Sequence, residues 1–241
     1  MSQYIYGRNV VVSRLKEARD IEEIYLLDTF KDRIIMDLVN KSKVKVVWCK
    51  KNRLDTLAGN EFHQGIVAKV QTYDYYDFDL LIEDVREKDN ALIVILDGIE
   101  DPHNFGAILR SCEAIGVDGV VVSKHGSCPL NSTVAKTSTG AIEVVKVSEV
   151  TNLVNSIKKL KSEGFWVVGA EAFNSVDYRA VDYNDKIVLI VGSEGKGISR
   201  LVLENCDYKV KLPMLGKVNS LNVSVACAIL LYQIHNNRFP L

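Results

Sequence analysis

Two runs, Ala91-Leu-Ile-Val-Ile-Leu96 and Ile187-Val-Leu-Ile-Val191, set the architecture of this chain. Both are apolar throughout, with no polar residue at alternate positions. A strand with one face in water alternates, so an unbroken run of this length marks a strand covered on both faces, as in the middle of a parallel sheet. Flanking them, further strands are expected at Gly119–Val122, Val144–Val147, Trp166–Ala170 and Tyr208–Leu212. Helical periods fall between at Asn104–Ile115, Ser132–Thr137, Thr151–Glu163, Ser199–Asn205 and Ser220–Asn236. Strands alternating with helices predict an α/β fold with a parallel sheet, spanning 91–241.

The first 72 residues carry a smaller version of the same alternation. Helices are expected at Arg8–Glu17, Lys31–Asn40 and Leu54–Ala58, and strands at Glu23–Leu27, Val44–Trp48 and Gly65–Val70. That is enough chain for a small α/β domain of its own. Between the two lies TYDYYDFDLLIEDVREKDN, 72–90, acidic and rich in tyrosine, which reads as a linker (73–90) ending in a short helix.

The formal charge of -1 conceals a division. Residues 1–72 hold 13 Lys and Arg against 9 Asp and Glu, with Lys41, Lys43, Lys45, Lys50, Lys51 and Arg53 close together. A local basic surface attracts phosphate backbones even on a neutral protein, although a solvated face balanced by nearby acids reads the same way. The composition, 47% apolar and 25% charged in 241 residues, excludes a disordered or collagen-like chain. The longest uninterrupted apolar run, Val225–Tyr232, is far short of the roughly 20 residues that span a bilayer, and MSQYIYGRNV lacks the pattern of a secretory signal. Five cysteines, none in CxxC spacing, predict free thiols in a reducing compartment rather than a disulfide framework or zinc site.

In open parallel sheets, ligands sit beyond the carboxyl ends of the strands, so the loops after Leu96, Val191 and Leu212 are the places to look. The first, Asp97–Arg110, offers Asn104 as a helix cap, and Arg110 either facing an anion or pairing with Glu113. His103, next to a proline, suits a turn better than a catalytic base. The second, Gly192-Ser-Glu-Gly-Lys-Gly197, fits neither a Walker loop nor the G-x-G-x-x-G fingerprint. Its glycines permit close approach to a ligand or simply a tight turn, and Glu194 disfavours a polyphosphate. The third, Leu212–Ala226, clusters Asn219, Ser220 and Asn222 before an apolar helix, with Ser220 as a possible N-cap.

Taken in order, Asp101-Pro-His-Asn-Phe-Gly-Ala-Ile-Leu-Arg110, Gly192-Ser-Glu-Gly-Lys-Gly197 and Leu212-Pro-Met…Ser220-Leu-Asn-Val-Ser-Val-Ala226 resemble the three motifs of the SpoU/TrmH family. These are S-adenosylmethionine-dependent RNA ribose 2′-O-methyltransferases of the SPOUT class. Tyr6-Gly-Arg-Asn-Val10 and His63-Gln-Gly-Ile-Val67 resemble the family's ribosomal-protein-like RNA substrate-binding domain. Thr133-Val-Ala-Lys-Thr-Ser-Thr-Gly-Ala-Ile142 is similar to the ribosomal-RNA branch, nearest the 23S rRNA (guanosine-2′-O-)methyltransferase group.

The resemblance implies a deep trefoil knot in the SPOUT domain, a cytoplasmic homodimer with the site completed across its interface, and no metal. S-adenosylmethionine would be held around Gly192, Leu212 and Leu221. Asn104, Arg110, Glu194, Ser220 and Asn222 would be the catalytic or RNA-positioning set, with Asn104 orienting Arg110. Arg8, His63 and Gln64 would contact RNA. Asn219 departs from the family, where Ser or Glu is more usual. A tRNA target, resistance methylation of an rRNA adenosine, and a non-catalytic ribosome-assembly factor remain as alternatives. No Rossmann fingerprint follows any strand, which disfavours a nicotinamide oxidoreductase.

Overall fold

The computed structural model describes residues 2–16, 21–59, 62–71, 73–218 and 220–240. The chain forms two compact units, Met1–Asp74 with Leu130–Ser132, and Tyr75–Pro129 with Thr133–Leu241.

The first unit runs β1 (Ser2–Tyr6), α1 (Arg8–Lys16), β2 (Ile21–Leu27), α2 (Arg33–Ser42), β3 (Lys45–Cys49), α3 (Lys51–Ala58) and β4 (Ile66–Gln71). Its sheet is ordered β1-β4-β2-β3, with β2 and β3 parallel and the other pairs antiparallel. Successive side chains of a strand point to opposite faces. Ile24, Leu26, Ile66 and Ala68 therefore meet Val11 and Leu15 of α1 and Ile35 and Val39 of α2 on one side. Tyr25 and Val67 meet Leu54 of α3 on the other. β1 is an addition to the elements expected from the sequence.

The second unit opens with α4 (Phe78–Val85) and β5 (Leu92–Asp97), then α5 (Pro102–Ile115), β6 (Gly119–Ser123), α6 (Ser132–Ser138) and β7 (Val147–Val150). It continues with α7 (Leu153–Ser162), β8 (Trp166–Ala170), β9 (Val176–Asp177), β10 (Ile187–Gly192), α8 (Arg200–Leu203), β11 (Tyr208–Lys211) and α9 (Val223–Arg238). Seven parallel strands lie in the order β7-β6-β5-β10-β8-β11-β9. The two apolar runs pair at the centre, from Ile187 opposite Leu92 to Gly192 opposite Asp97. From β5 the chain winds outward to β6 and β7, then crosses to fill the other half, so the β5–β10 junction is where the winding reverses.

Leu81, Ile82 and Val85 of α4, Leu153, Ile157 and Leu160 of α7 and Val202 of α8 cover one face of this sheet. α5 and α9 pack together, and α9 also contacts β10. The acidic stretch read as a linker is thus largely part of the second unit. α4 lies so close to β6 that a Cβ on Gly119 would stand 2.5 Å from Leu81 Cδ1. The acids Asp79, Glu83 and Asp84 occupy its other side.

The far end of α9 is fastened to the sheet's amino edge. Arg238 donates through Nε to Tyr183 O (2.9 Å) and through Nη2 to Asp185 O (2.8 Å) and Ala91 O (3.4 Å). Asn237 Oδ1 accepts from Tyr183 N at 2.8 Å. Cys112 and Cys227 have no exposed surface, and burial pushes the Cys227 thiol up to about 12. No described helix is long and apolar enough to cross a membrane.

Candidate active site at the carboxyl edge of the seven-stranded sheet

The loop after β5 turns at Gly98, which takes φ 76°, and enters α5 at Asp101. Asp101, not Asn104, is the cap. Its carboxylate accepts from His103 N at 3.0 Å, and Pro102 fills the first helical position, where a missing N–H costs nothing. Asn104 is released from capping and sits buried in the first turn, at 8% exposure. His103 is exposed. Gly106 lets α5 lie against α6, because a Cβ there would come within 2.6 Å of Thr137 Cβ.

The loop after β10 folds back on itself through paired Ser193 and Gly197 backbones, with N···O distances of 3.1 and 2.9 Å. A Cβ on Gly192 would fall 2.1 Å from the Gly197 carbonyl carbon, so only glycine fits. Asp97 Oδ2 accepts from Ser199 N at 2.7 Å and ties this loop to the end of β5. Glu194 stands at its tip.

The loop after β11 is exposed over most of its length, with Leu215 fully open, and Leu212 is half-buried. It ends at Asn222, which caps α9 by accepting from Ser224 N (2.9 Å) and Ser224 Oγ (2.6 Å). Ser220 lies two residues before that cap and is exposed, so it does not cap the helix. Leu221 is 37% exposed, and Asn219 lies outside the described residues.

These three loops converge on a closed triangle. Asn104 Nδ2 donates to Glu194 Oε1 at 3.1 Å, Asn222 Nδ2 donates to the same oxygen at 2.7 Å and to Asn104 Oδ1 at 2.9 Å. The carboxylate fixes which way both amides face, since only their nitrogens can donate to it. Oε1 of Glu194 is doubly occupied, and Oε2 has no hydrogen bond among the described residues. The structure thus unites Asn104, Glu194 and Asn222, with Gly192 at the base of the second loop.

It does not bring Arg110 to them. Arg110 is exposed, six residues beyond Asn104 and on another side of α5. Among the described residues no hydrogen bond or ion pair reaches it, so the Glu113 pair is absent and Asn104 orients Glu194 in its stead. The sequence reading also missed Asp97 and Asp101. For Asp101 the signal was present, since an acid directly before a proline is a cap followed by a first-turn residue.

In the first unit, Arg8 N donates to Gln64 Oε1 at 2.9 Å, bringing those two candidates together. His63 is only 3% exposed. Its Nδ1 accepts from Gly65 N and its Nε2 meets Asp55 Oδ1, both at 3.0 Å. The ring holds the turn and is not on offer to RNA. Among the described residues no group of three or more His, Cys, Asp or Glu is placed to hold a metal ion.

Residues 91–232 match the model of the SpoU rRNA Methylase family, and residues 4–76 match that of an RNA 2′-O ribose methyltransferase substrate-binding domain. The chain belongs to the SpoU/TrmH family of RNA methyltransferases. A Staphylococcus saprophyticus protein named for the TrmH family of tRNA/rRNA methyltransferases is 44% identical over 238 residues, covering 97% of this chain and 95% of that one. Among solved structures, the SpoU/TrmH tRNA-modifying enzyme of A. aeolicus is 34% identical, with TM-score 0.58, over 67% of this chain and 82% of that one. The SpoU methyltransferase AviRb of Streptomyces viridochromogenes, solved with AdoMet, shares the fold at TM-score 0.62 and 20% identity, covering 98% and 90% of the two chains. An AdoMet-bound rRNA methyltransferase of Sinorhizobium meliloti does so at 0.63 and 22%, covering 97% and 86%.

Proposed function

We propose that this protein methylates a ribose 2′-hydroxyl of ribosomal RNA with S-adenosylmethionine as donor, at a guanosine of 23S rRNA. The observation that carries the reading is the Asn104–Glu194–Asn222 triangle, assembled from three loops at the winding reversal of a parallel sheet.

The residues fit the donor. Gly195 and Gly197 take φ 85° and 66°, and a Cβ on Gly195 would meet nothing within 4 Å, so backbone is open to a ligand there. Leu215, Val218 and Leu221 present apolar surface from the neighbouring loop, suited to an adenosyl group, and the Glu194 carboxylate suits a sulfonium. Gly192, Leu212 and Leu221 would hold it. When bound, it supplies an electrophilic methyl group.

The chain's own task is then alignment and control of one proton. Glu194, with Oε1 pinned by two amides, keeps Oε2 as a fixed acceptor for the ribose hydroxyl. Asn104 and Asn222 hold that carboxylate in place, and Ser220 positions the ribose. Arg110 stays protonated and takes the role of a fixed donor to the adjacent phosphate and to developing negative charge.

The same reading makes the protein a cytoplasmic homodimer with a knotted chain in the second unit, and gives RNA selection to residues 1–72. α9 leaves Val225 and Tyr232 exposed, 47% and 52%, as a dimer surface requires, and Arg110 has no partner in its own chain among the described residues. Mapping 2′-O-methyl groups in cellular RNA with and without the protein tests the reading. Loss of one rRNA methyl group supports it, loss from a tRNA moves the substrate, and an unchanged map overturns it.

A further inference from the structure

The first unit holds a cavity that the methyl-transfer site does not use. It measures about 430 Å³ and is lined by Arg8, Phe30, Lys31, Asp32, Gln64 and Gly65, among others. We propose that this cavity takes one unpaired RNA nucleotide, its base stacked on the Arg8 guanidinium and its phosphate against Lys31. The inference rests on the RNA reading above and names a subsite within it.

Arg8 is a held plane rather than a waving charge. Its guanidinium lies over the Phe30 ring at 5.3 Å, Nη1 is 3.3 Å from Asp32 Oδ2, and Nε donates to Gln64 O at 3.5 Å. Even so, 48% of its side chain remains open, which leaves exposed surface for a second planar group to meet. Guanidinium planes stack unpaired bases, and each such base contributes without regard to its identity.

The charges divide in the same sense. Asp32 is committed internally, with Oδ1 capping α2 through Ile35 N at 3.2 Å and Oδ2 facing Arg8. Lys31 is exposed, and among the described residues nothing neutralises it, which leaves one free cation on the cavity wall. The wall opposite is built at a conformational cost. Gln64 takes φ 53°, and Gly65 (φ 80°) presses so near Phe30 that a Cβ would stand 3.0 Å from its Cδ2. A non-glycine residue in that region is uncommon and concentrates at functional positions. Paired bases are stacked within a helix and cannot enter such a cavity, so the ligand is single-stranded.

The test uses the full chain and a labelled RNA heptamer of mixed sequence, free or annealed to its complement, with binding read by fluorescence anisotropy at low salt. Arg8→Lys keeps the charge and loses the plane, and should weaken single-strand binding about 5- to 10-fold. Lys31→Ala should weaken it about 3-fold and flatten the salt dependence, with duplex binding unchanged. Among the described residues Lys31 has no partner to lose, so its variant decides the matter should Arg8→Lys disturb the fold. Wild-type affinity in both folded variants overturns the cavity's role. So does a free nucleoside monophosphate that competes as well as the heptamer, which would make it a small-molecule site. Methyl transfer to RNA by the wild-type chain is measured alongside. If it proceeds while the variants bind normally, only this subsite is lost; if it is absent, the enzymatic reading falls as well.

Discussion

The first unit buries His63 and the second buries Asn104, each with two side-chain or turn partners. His63 takes Asp55 and Gly65, eight and two residues away. Asn104 takes Glu194 and Asn222, 90 and 118 residues away. A polar group satisfied by its own neighbours closes a turn and explains itself. One satisfied only by two other loops, around a carboxylate with an oxygen to spare, is where we place the candidate site. Long separation alone does not mark a site, since Arg238 reaches Ala91 O across 147 residues merely to fasten α9; the spare carboxylate oxygen is what sets the Asn104 cluster apart.

The largest effect expected is on the backbone that supports the distant set. Gly192→Ala would drive a methyl into the Gly197 carbonyl carbon, and should cost about 3 kcal/mol in urea unfolding. Next, Glu194→Gln keeps an oxygen for the two amide donors but turns the spare acceptor Oε2 into an NH2 donor, and should lower methyl transfer about 100-fold in a folded protein. Unchanged turnover would make the triangle mere scaffold and erase the contrast with His63. Arg110→Lys keeps charge but loses the fork, and should lower turnover about 10-fold in the same assay; near wild-type turnover would remove the bidentate role. His63→Ala leaves the Gly65 N–H without its acceptor and should destabilise the first unit by about 1–2 kcal/mol in denaturant.

The smallest effect concerns another local pair, Asp177 and Arg179. The guanidinium lowers the Asp177 carboxyl from its ordinary 3.8 to about 2. A depressed carboxyl pKa stabilises the fold above its unfolded value, and the gain is lost as pH falls from 3.8 toward 2. The pair sits at the surface, with Arg179 exposed and Asp177 half-buried, so the shift in melting temperature across that window should be slight, and absent in Asp177→Asn.

How much of this the chain announced depended on what each residue had to contrast with. The runs at 91–96 and 187–191 were plain because double-sided burial leaves no polar residue in them. β1, SQYIY, was missed because an edge strand of five residues carries no such run. The last parallel strand before α7 came three residues later than expected, since Ala141–Glu143 form a 3₁₀ turn that uses up the apolar residues ahead of it. The short helix expected at the end of 73–90 forms as α4, with Tyr76 and Phe78 packed on the second unit's core, but net charge could not tell which side of that helix the acids occupy. Within the site the residue types were legible and their duties were not. Asn, Asp and Ser all cap helices, so Asn104 and Ser220 read as caps where the fold uses Asp101 and Asn222. Whether Glu113 would pair with Arg110 was likewise beyond reach, because spacing along one helix gives directions and not which contacts form.

α9 spans roughly 24 Å, with Asn222 at one tip and the Arg238 fork at the other. It behaves as a strut bolted at its heel. Three carbonyls at the opposite rim of the sheet anchor the helix whose other tip carries the Asn222 carboxamide beside Glu194, so shortening the chain beyond Asn236 should slacken the candidate site without touching a single residue in it.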